Sequence, residues 1–198
     1  MIIDKYKTIF IHIPKNAGTS IEMFFSNIMI KYWEDVLRIQ PSRHDTIDMI
    51  KRKFPSIYNS HTKFAVIRNP YDRMVSWYFF IKRNALGNVT RPIVSISDDD
   101  GAYFPIDGKA IEFNEWIKDP TSFLDPQQSW VDETVKIIKF ENLNKELNEF
   151  FKEEIDLPVA NKSDHDHYLK YYNQKSLDIV YDRYKEDFKR FNYERIKI

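Results

Sequence analysis

The chain has 198 residues and carries 15 Phe, 12 Tyr and 4 Trp, which is enough apolar bulk for the core of a single domain over residues 1–198 and argues against intrinsic disorder. Its 30 basic and 30 acidic residues cancel, which argues against a protein that coats nucleic acid, so any anion site must be built locally. The absence of cysteine excludes disulfides and thiolate metal sites, and the N-terminal apolar run is too short for a signal peptide or a membrane span. We therefore expect a cytoplasmic protein.

The first predicted strand and the start of the first predicted helix lie within the stretch TIFIHIPKNAGTSIEMFF at residues 8–25. Residues 8–13 are almost continuously apolar and β-branched, which is typical of a strand that is buried on both faces of a parallel sheet. Thr19 and Glu22 form a capping-box pattern, which predicts that the helix begins at Thr19. That helix carries an apolar stripe formed by Ile21, Phe24, Phe25, Ile28 and Met29.

The same order of elements recurs further along the chain. A strand at 64–67 leads into a helix whose start is indicated by Asn69 as the cap and Pro70 as the first helical residue. A strand at 135–140 precedes a helix with an apolar side formed by Leu143, Leu147, Phe150 and Phe151. The C-terminal helix has the longest apolar stripe, formed by Leu177, Val180, Tyr181, Tyr184, Phe188 and Phe191.

Alternating strands and helices predict an α/β fold with a central parallel sheet that is flanked by helices. Ligands bind such sheets outside the carboxyl ends of the strands, where the loops after the first two predicted strands lie. Residues 84–108 hold three of the four glycines and show no clear period, so we predict a long irregular loop there.

The loop after the first strand combines features that suit a phosphate. Lys15 supplies a positive charge, Thr19 and Ser20 supply hydroxyl groups, and the start of the helix offers free backbone N–H groups. Gly18 would let the backbone approach a neighbour closely or adopt a positive φ. The alternative is an ordinary capped helix next to an incidental lysine.

The end of the second strand offers a second anion site. Arg68 follows the strand, and Arg73 and Ser76 lie three residues apart on one face of the next helix. A guanidinium can bind a phosphate through two parallel hydrogen bonds. The alternative is that Arg73 forms a weak surface ion pair with Asp72 or with a glutamate.

Five stretches of the chain resemble one enzyme family. IPKNAGTSIE (13–22) is similar to the 5′-phosphosulfate loop of sulfotransferases that use 3′-phosphoadenosine 5′-phosphosulfate (PAPS), and VIRNPYDRMVSWY (66–78) is similar to their 3′-phosphate segment. DPQQSW (125–130), IIKFENL (137–143) and YDRYKEDFKRFNYE (181–194) resemble the carbohydrate branch of that family.

The resemblance implies a P-loop-like three-layer α/β fold and transfer of a sulfuryl group from PAPS to a carbohydrate hydroxyl, without a metal. It places the 5′ end of PAPS on Lys15, Asn16, Ala17, Gly18, Thr19 and Ser20. It places the 3′-phosphate on Arg68 and Ser76, and it gives Lys15 the further role of stabilising charge on the leaving phosphate. Two departures concern Asn16, where a threonine or another small residue is expected, and NKS (161–163), a loose match to the region of the C-terminal cofactor contacts.

His44 is the candidate general base that removes the acceptor proton. The stretch PSRHDTIDMIKRKF predicts a helix with Ser42 as its cap and Asp45 three residues on, so that His44 lies in the first turn. The helix dipole there would favour the neutral imidazole. Two alternatives remain: His44 packs in the core on the face of Ile47, Ile50 and Phe54, or Glu22 is the base.

The other histidines and acidic clusters suggest structural roles. We expect His12 to be buried in the first strand and His61 to lie at the far end of the sheet. SDHDHY (163–168) and SDDDG (97–101) fit a solvated loop and a polar turn better than metal sites.

Two other functions stay open at this point. One is a P-loop nucleotide kinase, although Lys15 precedes Gly18 instead of following it as in the usual motif. The other is a nucleotide-binding module without catalytic activity. The acceptor is undefined: Lys82, Arg83 and Arg91 near the long loop could meet an acidic glycan, and Gln127 and Gln128 could bind sugar hydroxyls or cap a turn. The sequence gives no oligomeric state.

Overall fold

The structure, a computed structural model, describes residues 1–31, 40–85, 111–158, 160 and 165–198. Its strands and α-helices are β1 (Ile2–Ile3), β2 (Thr8–Ile11), α1 (Gly18–Lys31), α2 (Ile47–Lys53), α3 (Pro55–Ser60), β3 (Thr62–Ile67), α4 (Pro70–Ala85), α5 (Phe113–Trp116), β4 (Lys136–Lys139), α6 (Leu143–Phe151), α7 (Gln174–Arg183) and α8 (Lys185–Arg190). Short 3₁₀ segments lie at Asp4–Tyr6, Pro120–Ser122, Gln127–Trp130, Phe140–Asn142 and Tyr168–Tyr171. The described residues form two compact units, one from 1–68 and 127–162 and one from 69–126 and 163–198.

The first unit contains a mixed sheet with the strand order β1-β2-β3-β4. β2, β3 and β4 are parallel, as the alternation of strands and helices predicts. The predicted central parallel sheet is confirmed, and it gains one antiparallel edge strand, because β1 pairs with β2 in the antiparallel direction. A tight turn at Asp4–Tyr6, closed by Lys7 with φ 45°, reverses the chain there, and such short connections join antiparallel neighbours. The turn lacks the glycine or proline that would have indicated it.

The central strands β2 and β3 are buried on both faces along most of their length. β2 ends at Ile11, so His12 and Ile13 of the predicted strand belong to the following loop, although both remain buried. One apolar cluster joins the sheet to α1 and α6 and contains Ile3, Phe10, Ile21, Phe25, Phe64, Val66, Ile138, Leu147 and Ile155. Burial of these side chains is the dominant favourable term that holds α1, and with it the loop after β2, against the sheet.

The second unit is helical and has an aromatic core. The apolar faces of α4, α5, α7 and α8 meet in a cluster that includes Tyr71, Trp77, Tyr78, Phe113, Trp116, Tyr172, Tyr184 and Phe188. Asn69 caps α4 as predicted, since its Oδ1 accepts a hydrogen bond of 3.0 Å from Tyr71 N. The predicted single C-terminal helix is divided at Tyr184, whose φ of −111° and ψ of 22° separate α7 from α8.

The first two residues of the predicted long loop, 84 and 85, belong to α4, which continues to Ala85. Residues 86–108 of that loop, with Arg91 and the SDDDG stretch, lie outside the described residues, as does NKS (161–163). Along the described part of the chain, no helix combines the length and the apolar character that crossing a membrane requires.

Candidate active site

The loop between β2 and α1 has an unusual backbone. Lys15 has a φ of 72° and Ala17 a φ of 61°, both in the left-handed region that side chains other than glycine rarely adopt. Backbone N–H groups around left-handed residues form concave surfaces that bind anions. The loop that was predicted to hold a phosphate therefore has the backbone shape for that task.

Gly18 is required at its position for space. A Cβ atom built on Gly18 would lie 2.1 Å from Nε2 of His12, far inside van der Waals contact. The His12 ring is only 5% exposed and has little room to move. Of the two roles predicted for Gly18, the structure therefore shows close approach, while the positive φ angles fall on Lys15 and Ala17.

The amide of Asn16 ties the loop to the neighbouring strand. Its Nδ2 donates to Val66 O at 2.8 Å and to Gln127 Oε1 at 2.7 Å. Gln127, which is fully buried, also accepts from Arg68 N and donates to Arg68 O, each at 2.9 Å. The suggestion that Gln127 binds sugar hydroxyls is therefore wrong, because its amide is used inside the protein. The Asn16 amide has two donor hydrogens, one for each of its two acceptors, whereas a threonine hydroxyl has only one. This difference explains why asparagine stands where threonine was expected.

Arg68 brings the two predicted phosphate motifs together. Its side chain is 8% exposed, and Nη1 donates to the carbonyl oxygen of Lys15 at 3.2 Å. The guanidinium carbon lies 4.2 Å from the centroid of the Phe140 ring, a cation–π distance. The hydrogen bond between Arg68 and Lys15 therefore joins the ends of β2 and β3 at residues of the two motifs that resemble the sulfotransferase family.

Thr19 and Ser20 lie in the first turn of α1, which begins at Gly18. Oγ of Ser20 accepts a hydrogen bond of 3.1 Å from Ala160 N, and Oγ1 of Thr19 accepts one of 2.9 Å from Nη2 of Arg43. The predicted capping box of Thr19 and Glu22 is wrong, because Glu22 bonds to other side chains.

Glu22 joins His12 to Arg43. Its Oε1 lies 2.7 Å from Nδ1 of His12, and its Oε2 lies 2.8 Å from Nη2 of Arg43. Burial lowers the pKa of His12, so its imidazole is neutral near pH 7, with Nδ1–H donating to Glu22. Burial opposes ionisation of Glu22, but the His12 hydrogen bond and the nearby Arg43 charge outweigh it and lower the pKa of Glu22. Glu22 is thus an ionised carboxylate that holds both neighbours.

His44 lies in the turn before α2 and not in the first turn of the helix. Thr46 caps α2, and Ser42 and Asp45 close the preceding turn through two hydrogen bonds. The dipole argument for His44 is therefore wrong, and so is the core alternative, because His44 is exposed. Nδ1 of His44 lies 3.3 Å from His12 O, and since a carbonyl only accepts, Nδ1 carries the hydrogen. That tautomer leaves Nε2 able to accept a proton.

The remaining predicted residues lie elsewhere. Ser76 and Arg73 are buried on α4 in the second unit, and Arg73 donates to Asp125 O at 2.9 Å. The surface ion pair suggested for Arg73 is wrong, because its side chain is 1% exposed. His61 immediately precedes β3, at the amino end of that strand as expected. The described residues contain no group of three or more His, Asp or Glu side chains placed to hold a metal ion.

Comparison with known proteins identifies the class. A model of the "Sulfotransferase family" matches residues 1–134, which is most of the chain, and the chain therefore belongs to this family. Comparisons with curated proteins and with solved structures find no match. Family membership makes the protein a transferase of sulfur-containing groups with a P-loop-like α/β fold, and it implies an acceptor substrate.

Arg43 and the His12–Glu22 pair are parts of this site that no sequence motif indicated. Arg43 precedes the candidate base, but nothing in its spacing links it to Thr19, which lies 24 positions earlier. The His12–Glu22 pair spans a strand end and a helix, so it depends on how α1 docks on the sheet. The available signal for this pair was a histidine, His12, just before the phosphate loop and a glutamate, Glu22, just after it.

Proposed function

We propose that this sulfotransferase uses PAPS as its donor and transfers the sulfuryl group to a hydroxyl of a carbohydrate. The observation that supports the proposal most strongly is the 3.2 Å hydrogen bond from Arg68 to the backbone of Lys15. It joins the ends of neighbouring parallel strands, where α/β folds bind nucleotides. A donor with phosphates at its 5′ and 3′ positions suits a lysine and an arginine that follow neighbouring strands and are in contact through this bond.

The residues of the first unit fit such a donor. The left-handed backbone at Lys15 and Ala17 and the start of α1 offer N–H groups to the 5′-phosphosulfate, with Thr19 and Ser20 as hydroxyl partners. Arg68 offers a guanidinium to the 3′-phosphate. The contacts of Asn16 and Ser76 with the donor stay predictions from the resemblance, and the Asn16 side chain supports the loop from inside.

We assign the base to His44. The acceptor oxygen attacks sulfur, the bond from sulfur to the phosphate oxygen breaks, and the acceptor proton passes to Nε2 of His44. The hydrogen bond from Nδ1 to His12 O supports this assignment, because it leaves the lone pair on Nε2. Lys15 offsets the charge that develops on the leaving phosphate. Glu22 is a poorer base, since its carboxylate is bonded to His12 and Arg43.

The carbohydrate acceptor and the cytoplasmic location are supported by the sequence. The carbohydrate class comes from the three similar stretches at 125–130, 137–143 and 181–194, and the location comes from the lack of cysteine. The kinase alternative is disfavoured because Lys15 comes before Gly18, so a P-loop lysine at the start of the helix is missing.

The direct test measures transfer of labelled sulfate from PAPS to a panel of carbohydrate acceptors, without added metal. We expect a labelled glycan product with the wild type and none with Lys15→Ala at an unchanged melting temperature. Lys118→Ala, at an exposed lysine of the second unit, is the matched control and keeps full activity. Phosphate transfer from magnesium ATP, or no product with any acceptor, would overturn the proposal in favour of a kinase or a binding module.

A further inference from the structure

We propose that Arg43 is a positioning residue that turns the hydroxyl group of Thr19 toward the 5′-phosphosulfate of the donor. The inference rests on the proposed function and assigns a role to a residue outside both phosphate motifs. It starts from the hydrogen bond of 2.9 Å between Nη2 of Arg43 and Oγ1 of Thr19.

The chemistry of the two groups fixes the direction of this bond. A guanidinium has N–H donors and no acceptor, whereas a hydroxyl has one hydrogen and two acceptor sites. Arg43 therefore occupies an acceptor site of Thr19, and the hydroxyl hydrogen must point to another partner. A threonine within a helix often donates to the carbonyl four residues earlier, which here is Lys15 O, a group that already accepts from Arg68. An anion over the first turn of α1 is a better acceptor for that hydrogen.

Arg43 is held in this place by an anionic anchor. The same Nη2 lies 2.8 Å from Oε2 of Glu22, whose other oxygen bonds to His12 at 2.7 Å. The Glu22 side chain is 20% exposed and the Arg43 side chain 51% exposed, so the anchor is more sheltered than the residue it holds. Because Glu22 is ionised, it neutralises the charge of Arg43. We therefore infer that Arg43 acts by orienting the hydroxyl of Thr19 and not by attracting the donor directly.

The inference is tested by calorimetric binding of two nucleotides. Adenosine 3′,5′-bisphosphate carries the 5′-phosphate that Thr19 would contact, and adenosine 3′-monophosphate lacks it. Arg43→Gln should weaken binding of the bisphosphate about tenfold, the effect of losing one charge-assisted hydrogen bond, and should leave binding of the 3′-monophosphate unchanged. Arg52→Gln, at an exposed arginine of α2, is the control and should change neither.

A double-mutant cycle with Thr19→Val separates positioning from direct contact. If Arg43 acts through Thr19, Arg43→Gln has no further effect once the hydroxyl is gone. A tenfold loss that persists in the Thr19→Val background, or no loss in the wild-type background, would overturn the inference while the wild type still binds the bisphosphate. A wild type that binds both nucleotides equally would instead remove the proposed function, and this inference with it. Melting temperatures of all variants show whether each one is folded.

Discussion

At the scale of single residues, the contact between Gly18 and His12 decides the shape of the site. The imidazole occupies the space that a Cβ atom at position 18 would need, at 2.1 Å from Nε2. Glu22 prevents the ring from turning away through its bond of 2.7 Å to Nδ1. One missing methyl group thus lets the start of α1 lie against the end of β2.

Gly18→Ala should therefore destabilise the protein by about 1–3 kcal/mol, the usual cost of overpacking a core. Urea denaturation measures the change in the free energy of unfolding. His12→Ala removes the ring, so adding it to Gly18→Ala should recover part of that loss. Strictly additive effects of the two substitutions would show that the contact with His12 is not the cause.

The proposed base gives a prediction about rate. His44→Ala should lower kcat by about 10²–10⁴-fold with a small change in KM, because proton removal acts in the transition state. His61→Ala, at the opposite end of β3, is the control and should keep the wild-type rate. A His44→Ala enzyme with an unchanged kcat would refute the assignment.

The sequence was informative about residue types and less so about their partners. Lys15, Thr19, Ser20 and Arg68 could be named because their types and their spacing in two motifs suit phosphate. The partner of Thr19 could not be named, since Arg43 reaches it from a turn that packs against α1. The tautomer of His44 likewise depends on the His12 carbonyl, which no local pattern reveals.

At the scale of elements, Gln127 holds the ends of two strands and a loop in register. Its amide meets both the N–H and the C=O of Arg68, where β3 ends, and it also accepts from Asn16 in the loop after β2. An ionised glutamate has the same size but only accepts hydrogen bonds, so it could not replace the Gln127 amide here. The geometry of the phosphate loop therefore depends on a residue far away in the sequence.

Gln127→Leu should destabilise the protein by about 1–3 kcal/mol for each buried backbone group of Arg68 that loses its partner. The measurement is urea denaturation, with donor binding as a second readout that should weaken as the loop loosens. Gln128→Leu, at the partly exposed neighbour, is the matched control and should change stability less than Gln127→Leu does, because its side chain is in part solvated. Equal effects of the two substitutions would contradict this role for Gln127.

The C-terminal helices show what periodicity predicts and what it misses. The predicted apolar stripe is largely confirmed: Leu177, Val180, Tyr184, Phe188 and Phe191 are buried, and Tyr181 is partly buried. It did not predict the break at Tyr184, because backbone hydrogen bonds to Val180 and from Phe188 keep the same spacing across it. The hydroxyl of Tyr184 donates to Leu124 O at 2.8 Å, a long-range contact that helical periodicity does not reveal. Burial raises the pKa of Tyr184, which keeps that hydroxyl protonated.

At the scale of the whole molecule, the buried His12 and the partly buried Glu22 make stability depend on pH. Burial lowers the pKa of His12 below its ordinary value of 6.5, so the folded protein binds fewer protons than the unfolded chain as the pH falls below that value. The lowered pKa of Glu22 acts in the same direction below its ordinary value of 4.5. Both groups therefore make the folded protein less stable in acid.

Lowering the pH from 7.5 to 5.5 should reduce the free energy of unfolding, with His12 responsible for part of the slope. His12→Gln should make the dependence shallower in this range, because it removes the buried imidazole whose pKa is lowered. Urea titrations at several pH values measure both slopes. An unchanged slope in His12→Gln would show that the buried imidazole is not the group concerned.

Most of the α/β architecture could be predicted because buried strands and amphipathic helices leave clear patterns. β2, β3 and β4 lie close to the predicted segments, and the site follows from the rule that ligands bind at strand ends. The antiparallel edge strand β1 could not be predicted, because a two-residue strand has no period. The division of the described residues into two units could not be predicted either, because it depends on contacts between residues that are distant in the sequence. Local sequence patterns thus located the loops that follow the strands, whereas tertiary packing determines which residues lie next to those loops.

The central claim is that Lys15 and Arg68 bind opposite ends of one nucleotide, and calorimetry with three ligands tests it most directly. Against the wild type, Lys15→Ala should weaken binding of adenosine 3′,5′-bisphosphate and of the 5′-monophosphate by about tenfold or more, and should spare the 3′-monophosphate. Arg68→Lys keeps the charge and loses the planar fork, so it should weaken the bisphosphate and the 3′-monophosphate and spare the 5′-monophosphate. If both variants weakened the same monophosphate, or neither changed binding of the bisphosphate, the claim would be contradicted.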